Sequence, residues 1–228
     1  LVKLDISKAF DSVQWPFLLE VLGQLGFGPR WISWICALIV TSSTKIVVNG
    51  IPGETIYNCQ GLRQGSPFSP MICILCMEPL HRLFEYATSA GLLTLLAWTG
   101  LRHRVSMYAD DAMIFIKPKE LDLRACAAIL DMFGQASGLK INLQKSSALP
   151  IRCTQEHMQL VSGLLGCANT SFPCRYLGLP LSIRKQTAVQ FQDLVDQIAA
   201  QTWKAASLPK SSWLLLIQSV LCAIPVHS

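Results

Sequence analysis

Three carboxylates stand out for the company they keep. Asp5 ends a short apolar strand, Leu1–Asp5, and Asp110 and Asp111 sit together at the tip of the apolar hairpin VSMYADDAMIFI (105–116). Partly buried acids repel one another and lose hydration, so a fold keeps them together when a cation lies between them. Two Asp-bearing strand ends side by side make a hard oxygen site suited to Mg²⁺, with Mn²⁺ as a substitute. A pair of such ions, about 4 Å apart, can activate an attacking 3′-hydroxyl and stabilise a departing pyrophosphate. Taken alone, Asp-Asp has a second reading, as ordinary turn residues of a hairpin.

The elements that must position these acids follow from the pattern of apolar and breaker residues. Pro16 suits a helix first turn, and Leu18, Val21, Leu22 and Leu25 recur on one face. Gly26, Gly28 and Pro29 stop that helix, and a second one runs from about Arg30 to Val40. TKIVVNG (44–50) and ETIYNC (54–59) predict a hairpin turned near Asn49-Gly50. The loop GLRQGSPFSP (61–70) feeds an apolar helix that reaches about Tyr86, started by Pro70 and kinked by Pro79. Beyond the Asp-Asp hairpin, Leu123, Cys126, Leu130 and Phe133 fall at helical spacing, with Gly138 as terminator. KINLQKS (140–146) reads as strand-like, and YLGLPLS (176–182) as a short extended pair. Two helices, 187–207 and 211–224, join around Leu208-Pro209.

Composition narrows the class. In 228 residues, 51% are apolar and only 14% charged, against roughly 25% charged in an average soluble domain. That balance fits either a large core or a piece of a bigger protein whose apolar faces meet other domains. The net charge of +5 is uneven: there are 11 Lys/Arg and 11 Asp/Glu up to Gly138, then 8 against 3. A basic final stretch fits a surface that meets phosphate.

Nine cysteines, an odd number set mostly in apolar segments (Cys36, Cys73, Cys76, Cys126, Cys222), point to reduced thiols in an intracellular protein. Cys73 and Cys76 form a CxxC inside the helical run MICILCMEPL, where core packing accounts for them. Cys153, His157, Cys167 and Cys174 match no common zinc spacing. The longest apolar runs, 31–40 and 213–226, do not make membrane spans: the first is too short and the second holds Gln218, Ser219 and Pro225.

Five segments in order then become specific. LDISKAFD (4–11), RQGSPFSP (63–70), YADD (108–111), SGLKINLQKS (137–146) and YLGLPLS (176–182) resemble the successive palm motifs of reverse transcriptases, and more narrowly those of plant LINE-type, non-LTR retrotransposons. The tail WKAASLPKSSWLLLIQSVLCAIPVHS (203–228) resembles the thumb of that family.

The resemblance implies an α+β fold: a palm with an antiparallel sheet and packed helices over 1–185, then the start of a helical thumb over 186–228. It further implies that the fingers precede residue 1 and that the thumb continues past Ser228 in a longer parent with other retroelement domains. The activity implied is RNA-directed DNA polymerisation, with an RNA template, a DNA primer, deoxynucleoside triphosphates and two Mg²⁺ ions.

Residue by residue, it implies that Asp5 and Asp110 are the principal metal ligands, supported by Asp111 and the Ile6 carbonyl. Phe10 matches the aromatic gate beneath the incoming sugar, where a ribose 2′-hydroxyl would clash. Gln64 and Gly65 match the segment against the nucleotide and template base. Lys145 matches a lysine that protonates pyrophosphate. Tyr176, Leu177 and Gly178 belong to the primer-grip hairpin. One departure is Ser66, where the family usually has Asp after RQG.

Maturases, telomerase and RNA-dependent RNA polymerases are the neighbouring readings, and YADD with Phe10 argues against the last. A different class of reading is a catalytically dead relic with weak nucleic-acid binding, favoured by Ser66 and opposed by the retained acids. The nucleus is a natural location for the parent element, and no membrane partner is expected.

Overall fold

The computed structural model describes residues 1–96, 103–108, 111–176, 179–183, 192 and 196. It forms two compact units, Leu1–Ala148 with Arg152–Asn169, and Leu149–Ile151 with the chain from Thr170 onward.

In the first unit, β1 (Val2–Asp5) leads into a single turn of helix, α1 (Ala9–Ser12), and then α2 (Trp15–Gln24) and α3 (Pro29–Val40). Pro16 and Pro29 each occupy a first-turn position, where a missing N–H costs nothing. The hairpin β2 (Ser43–Val48) and β3 (Ile51–Tyr57) turns at Asn49-Gly50, both at positive φ, which matches the twist of its strands. α4 (Ser69–Ser89) runs unbroken through Pro79 and outlasts the expected end at Tyr86. β4 (Val105–Tyr108), β5 (Asp111–Ile114), α5 (Glu120–Ser137), β6 (Ser147–Ala148), α6 (Gln155–Leu165) and β7 (Ala168–Asn169) complete the unit.

The main sheet has the order β4-β5-β1-β6-β7, antiparallel except for the β6–β7 pair. β1 is its centre, and the period-2 alternation of VKLD divides the labour: Val2 and Leu4 are buried while Lys3 and Asp5 lie on the other face. Register places Val2 opposite Ile114 and Leu4 opposite Ala112, so the inner face is continuous across β1 and β5.

Against that face pack Leu18 and Leu22 of α2, Ile72, Cys76, Leu80 and Phe84 of α4, and Leu123, Cys126, Leu130 and Phe133 of α5. Each large apolar side chain fully buried there contributes about 1.5–3 kcal/mol. The phenyl rings of Phe17 and Phe133 meet edge to face with centroids 6.0 Å apart, joining α2 to α5. The buried cysteines of this core include Cys73, Cys76, Cys126 and Cys167, in keeping with the packing role expected for the CxxC.

Gly138 ends α5 in the left-handed conformation, φ 80°, its N–H bonded to the Gly134 carbonyl. The position is also crowded: a Cβ there would lie 2.2 Å from the Ser12 carbonyl oxygen.

One expected strand is different. Residues 140–146 make only an isolated bridge, Ile141 to Ile6, and then turn. Asn142 gathers the chain: its carbonyl accepts the Ser146 N–H at 2.9 Å and the Ser146 hydroxyl at 2.7 Å, and its side chain accepts the Lys145 N–H at 3.3 Å. The strand resumes as β6.

In the second unit, β8 (Cys174–Tyr176) and β9 (Leu179–Leu181) form an antiparallel hairpin with Tyr176 opposite Leu179, as YLGLPLS suggested. The two helices expected over 187–207 and 211–224 lie outside the described residues, apart from Gln192 and Asp196, which are helical.

Candidate active site

The outer face of the main sheet carries the site. Asp5 on β1 is directly opposite Asp111 on β5, and Asp111 is directly opposite Tyr108 on β4. The row Tyr108–Asp111–Asp5 therefore runs across three strands on one face. The adjoining row holds Ser106, Met113, Lys3 and Ser147. Asp110 and Ala109, between β4 and β5, lie outside the described residues.

Directly opposed residues of a sheet bring Cβ atoms to roughly 5 Å, where like charges are destabilising. Asp5 and Asp111 are both only half exposed, so water relieves that repulsion incompletely. Lys3 Nζ, 3.7 Å from Asp111 Oδ1, offsets part of the charge. An arrangement of hard oxygen donors with one ammonium beside it fits a divalent ion such as Mg²⁺, and suits softer metals poorly.

The backbone of Asp5 is fixed on both sides. Its N–H donates to Ser146 Oγ at 3.1 Å, and its carbonyl accepts the Asn142 N–H at 2.8 Å. The next link, Ser7 N–H to the Lys140 carbonyl at 2.9 Å, continues the clasp. The turn that replaced the expected strand thus holds the first acid in place. Ile6 follows with its side chain buried, and Lys145 is exposed on the same turn, next to Ser146.

A second strap joins the α1 turn to the loop before α4. Leu62 N–H donates to the Phe10 carbonyl at 2.5 Å, Gly61 N–H to the Val13 carbonyl at 2.8 Å, and Trp15 Nε1 to the Gly61 carbonyl at 2.8 Å. Gln64 Nε2 then donates to Asp11 Oδ1 at 2.8 Å. The structure thereby brings Phe10 and Gln64 into one neighbourhood, with Phe10 partly buried against the core. Gly65 is exposed at φ 78° with open space where a Cβ would stand, so its requirement in this chain is conformational. An open recess of about 630 Å³ lies here, lined in part by Asp11, Asn58, Gln60, Arg63 and Gln64.

Ser66 works as a turn residue. Its hydroxyl accepts the Phe68 N–H at 3.4 Å and its carbonyl accepts the Ser69 N–H at 3.2 Å. The side-chain oxygen of an Asp can fill that local role, so what the serine removes is charge.

Of the expected primer-grip residues, Tyr176 ends β8 in the second unit, and Leu177 and Gly178 lie outside the described residues. Sequence reasoning missed Lys3, Asp11, Asn142 and Ser146. Asp11, Asn142 and Ser146 carried a signal, as polar residues inside motif segments, but nothing local showed that Asn142 and Ser146, some 140 positions away, meet the backbone of Asp5.

An α+β fold whose sheet gathers carboxylates from adjoining strands on the face away from its helices has the architecture of a polymerase palm. Its fold is similar to that of the telomerase from Candida albicans solved in complex with the TWJ fragment of telomeric RNA, with a TM-score of 0.51 and 15% identity over 86% of this chain and 34% of that one. The chain belongs to the family described as Reverse transcriptase (RNA-dependent DNA polymerase), which matches residues 1–181.

Among its relatives, the Transposon TX1 uncharacterized 149 kDa protein of Xenopus laevis is 29% identical over 148 residues, 65% of this chain and 11% of that protein. A Retrovirus-related Pol polyprotein from type-1 retrotransposable element R2 of Popillia japonica is 27% identical over 150 residues, 65% of this chain and 24% of that one. The chain therefore matches a quarter or less of the length of these relatives.

Proposed function

We propose that this chain is the catalytic palm, residues 1–185, and the start of the thumb, 186–228, of the RNA-directed DNA polymerase of a LINE-type, non-LTR retrotransposon. The observation that carries the reading is the register that sets Asp5 against Asp111 on the open face of the sheet. In this reading Asp5 and Asp110 hold two Mg²⁺ ions, with Asp111 and the Ile6 carbonyl supporting them. When bound, such ions supply charge stabilisation at the attacking and leaving oxygens.

The chain's own residues do the rest. Ser146 and Asn142 hold the Asp5 backbone, so the carboxylate is presented without reorganisation. Lys3 balances Asp111 when no other cation is near. Phe10 sits under the sugar and excludes a 2′-hydroxyl, while Gln64, fixed by Asp11, and Gly65 contact the nucleotide and template base. Lys145 gives a proton to pyrophosphate, and Tyr176, Leu177 and Gly178 orient the primer end.

The test is primer extension on an RNA template by the chain within its parent protein, with and without Mg²⁺. Asp5→Asn and Asp110→Asn keep side-chain shape and remove charge, and each is expected to lower turnover by about 10²-fold or more. Near-normal turnover by either variant, with its fold verified by circular dichroism, overturns the assignment.

A further inference from the structure

Away from the acidic face of the sheet, α4 and the segment before β4 bring three metal-ligating side chains together. His81 and Glu85 are one helical turn apart on α4, on the same side of the helix. His81 Nε2 and His103 Nδ1 each lie 3.2 Å from the same carboxylate oxygen, Glu85 Oε1. The two imidazole rings are 5.1 Å apart, and one ligand atom from each of the three residues lies within 4.8 Å of the others.

Ligands held tetrahedrally at 2.0–2.1 Å from Zn²⁺ are separated from each other by roughly 3.3 Å. Two of the three edges already have that length, and the third, between the imidazole nitrogens, is no longer than 4.8 Å and shortens as the ligands close on an ion. We propose that His81, Glu85 and His103 form a second metal site, one that takes Zn²⁺ or a similar borderline ion. Two imidazoles and a carboxylate favour such an ion over Mg²⁺. Each imidazole then turns a lone pair, in place of an N–H, toward the centre, its proton passing to the other ring nitrogen or to solvent.

Exposure of the three side chains grades from 18% at His81 through 45% at Glu85 to 64% at His103, so an ion in solution can reach the ligand atoms. The backbone beside His103 is held: the Arg104 carbonyl accepts the Phe115 N–H at 2.8 Å, and the buried Arg104 guanidinium donates to the Thr94 carbonyl. The third ligand is thus presented on a fixed segment. A metal here ties the start of β4, the strand that ends at Tyr108, to the last turns of α4.

Co²⁺ is the probe, added to the full 228-residue chain in the presence of excess Mg²⁺, with binding read from its visible absorption. The expected result is about one equivalent bound with d–d bands of nitrogen and oxygen ligation, displaced by Zn²⁺. His103→Ala, an exposed change that leaves the fold intact, and Glu85→Gln should each weaken binding by at least about tenfold. Cys59→Ser, which removes an exposed thiol, should bind as the parent chain does. Three outcomes overturn the proposal: no saturable uptake, thiolate charge-transfer bands, or unchanged affinity in His103→Ala and Glu85→Gln.

Discussion

Replacing Gly138 with alanine isolates how tightly two motif segments are fitted together. The residue has φ 80°, and placing an alanine in the left-handed region costs about 1–2 kcal/mol. A Cβ at this position would also lie 2.2 Å from the Ser12 carbonyl oxygen, 3.3 Å from the Ser12 carbonyl carbon and 3.0 Å from Gln14 Cγ. The closest of these is backbone, and Gln14 N–H is bonded to the Ser137 carbonyl at 2.8 Å, so no rotamer change relieves the clash. Overpacking of this kind adds about 1–3 kcal/mol, for a total of about 2–5 kcal/mol.

Gly65→Ala is the internal control. It shares the positive φ, at 78°, but its Cβ meets nothing within 4 Å, so only the conformational cost of about 1–2 kcal/mol applies. Urea denaturation of the chain and both variants, followed by circular dichroism, gives the comparison directly. For a chain of this size each kcal/mol moves the thermal midpoint by about 2–4 °C, so heating provides a second readout. Equal destabilisation by the two alanines would refute the close approach of the α5 terminus to the α1 turn.

Three other outcomes follow from the geometry. In the proposed reading Phe10→Val opens space beneath the sugar and is expected to raise the use of ribonucleotides relative to deoxynucleotides by about tenfold or more; an unchanged ratio of kcat/KM values makes Phe10 a core residue only. Ser146→Ala leaves the Asp5 N–H without its acceptor, so the Mg²⁺ concentration for half-maximal extension should rise, and Ser146→Thr should restore it. Burial pushes the Cys76 and Cys126 thiols up to about 12 each, from 9.0. Because these values are raised in the folded state, their contribution to stability is complete below pH 9 and is lost as pH rises toward 12. Urea midpoints measured from pH 8 to 11 should therefore fall, and the fall should be shallower in Cys126→Ala.

The elements that carry Asp5 and Asp111 were legible because their signals are local. Asp5 closes an apolar strand, Asp111 opens another, and Asn49-Gly50 and Pro16 mark a turn and a helix start by backbone chemistry alone. What escaped was long-range or too short to have a period. Ile141 and Leu143 alternate as a strand would, yet Asn142 collects three hydrogen bonds and bends the chain into a turn. β6 and β7 are two residues each, below the length at which alternation can be seen, so the five-strand order was not readable. His81, Glu85 and His103 meet only after α4 has been packed beside the strand that follows His103.

The alternation in β1 also bears on how such sequences age. Val2 and Leu4 hold the interior while Asp5 faces the other way, and the same division holds across β5 for Ile114, Ala112 and Asp111. A change to Asn at Asp5 or Asp111 removes a charge from the site proposed to hold Mg²⁺, sheds a repulsion, and leaves that interior untouched. Loss of catalysis and loss of folding can then proceed on separate clocks. A chain so changed would keep its fold while losing the metal-dependent activity proposed for it, and a thermal midpoint alone would not reveal that loss.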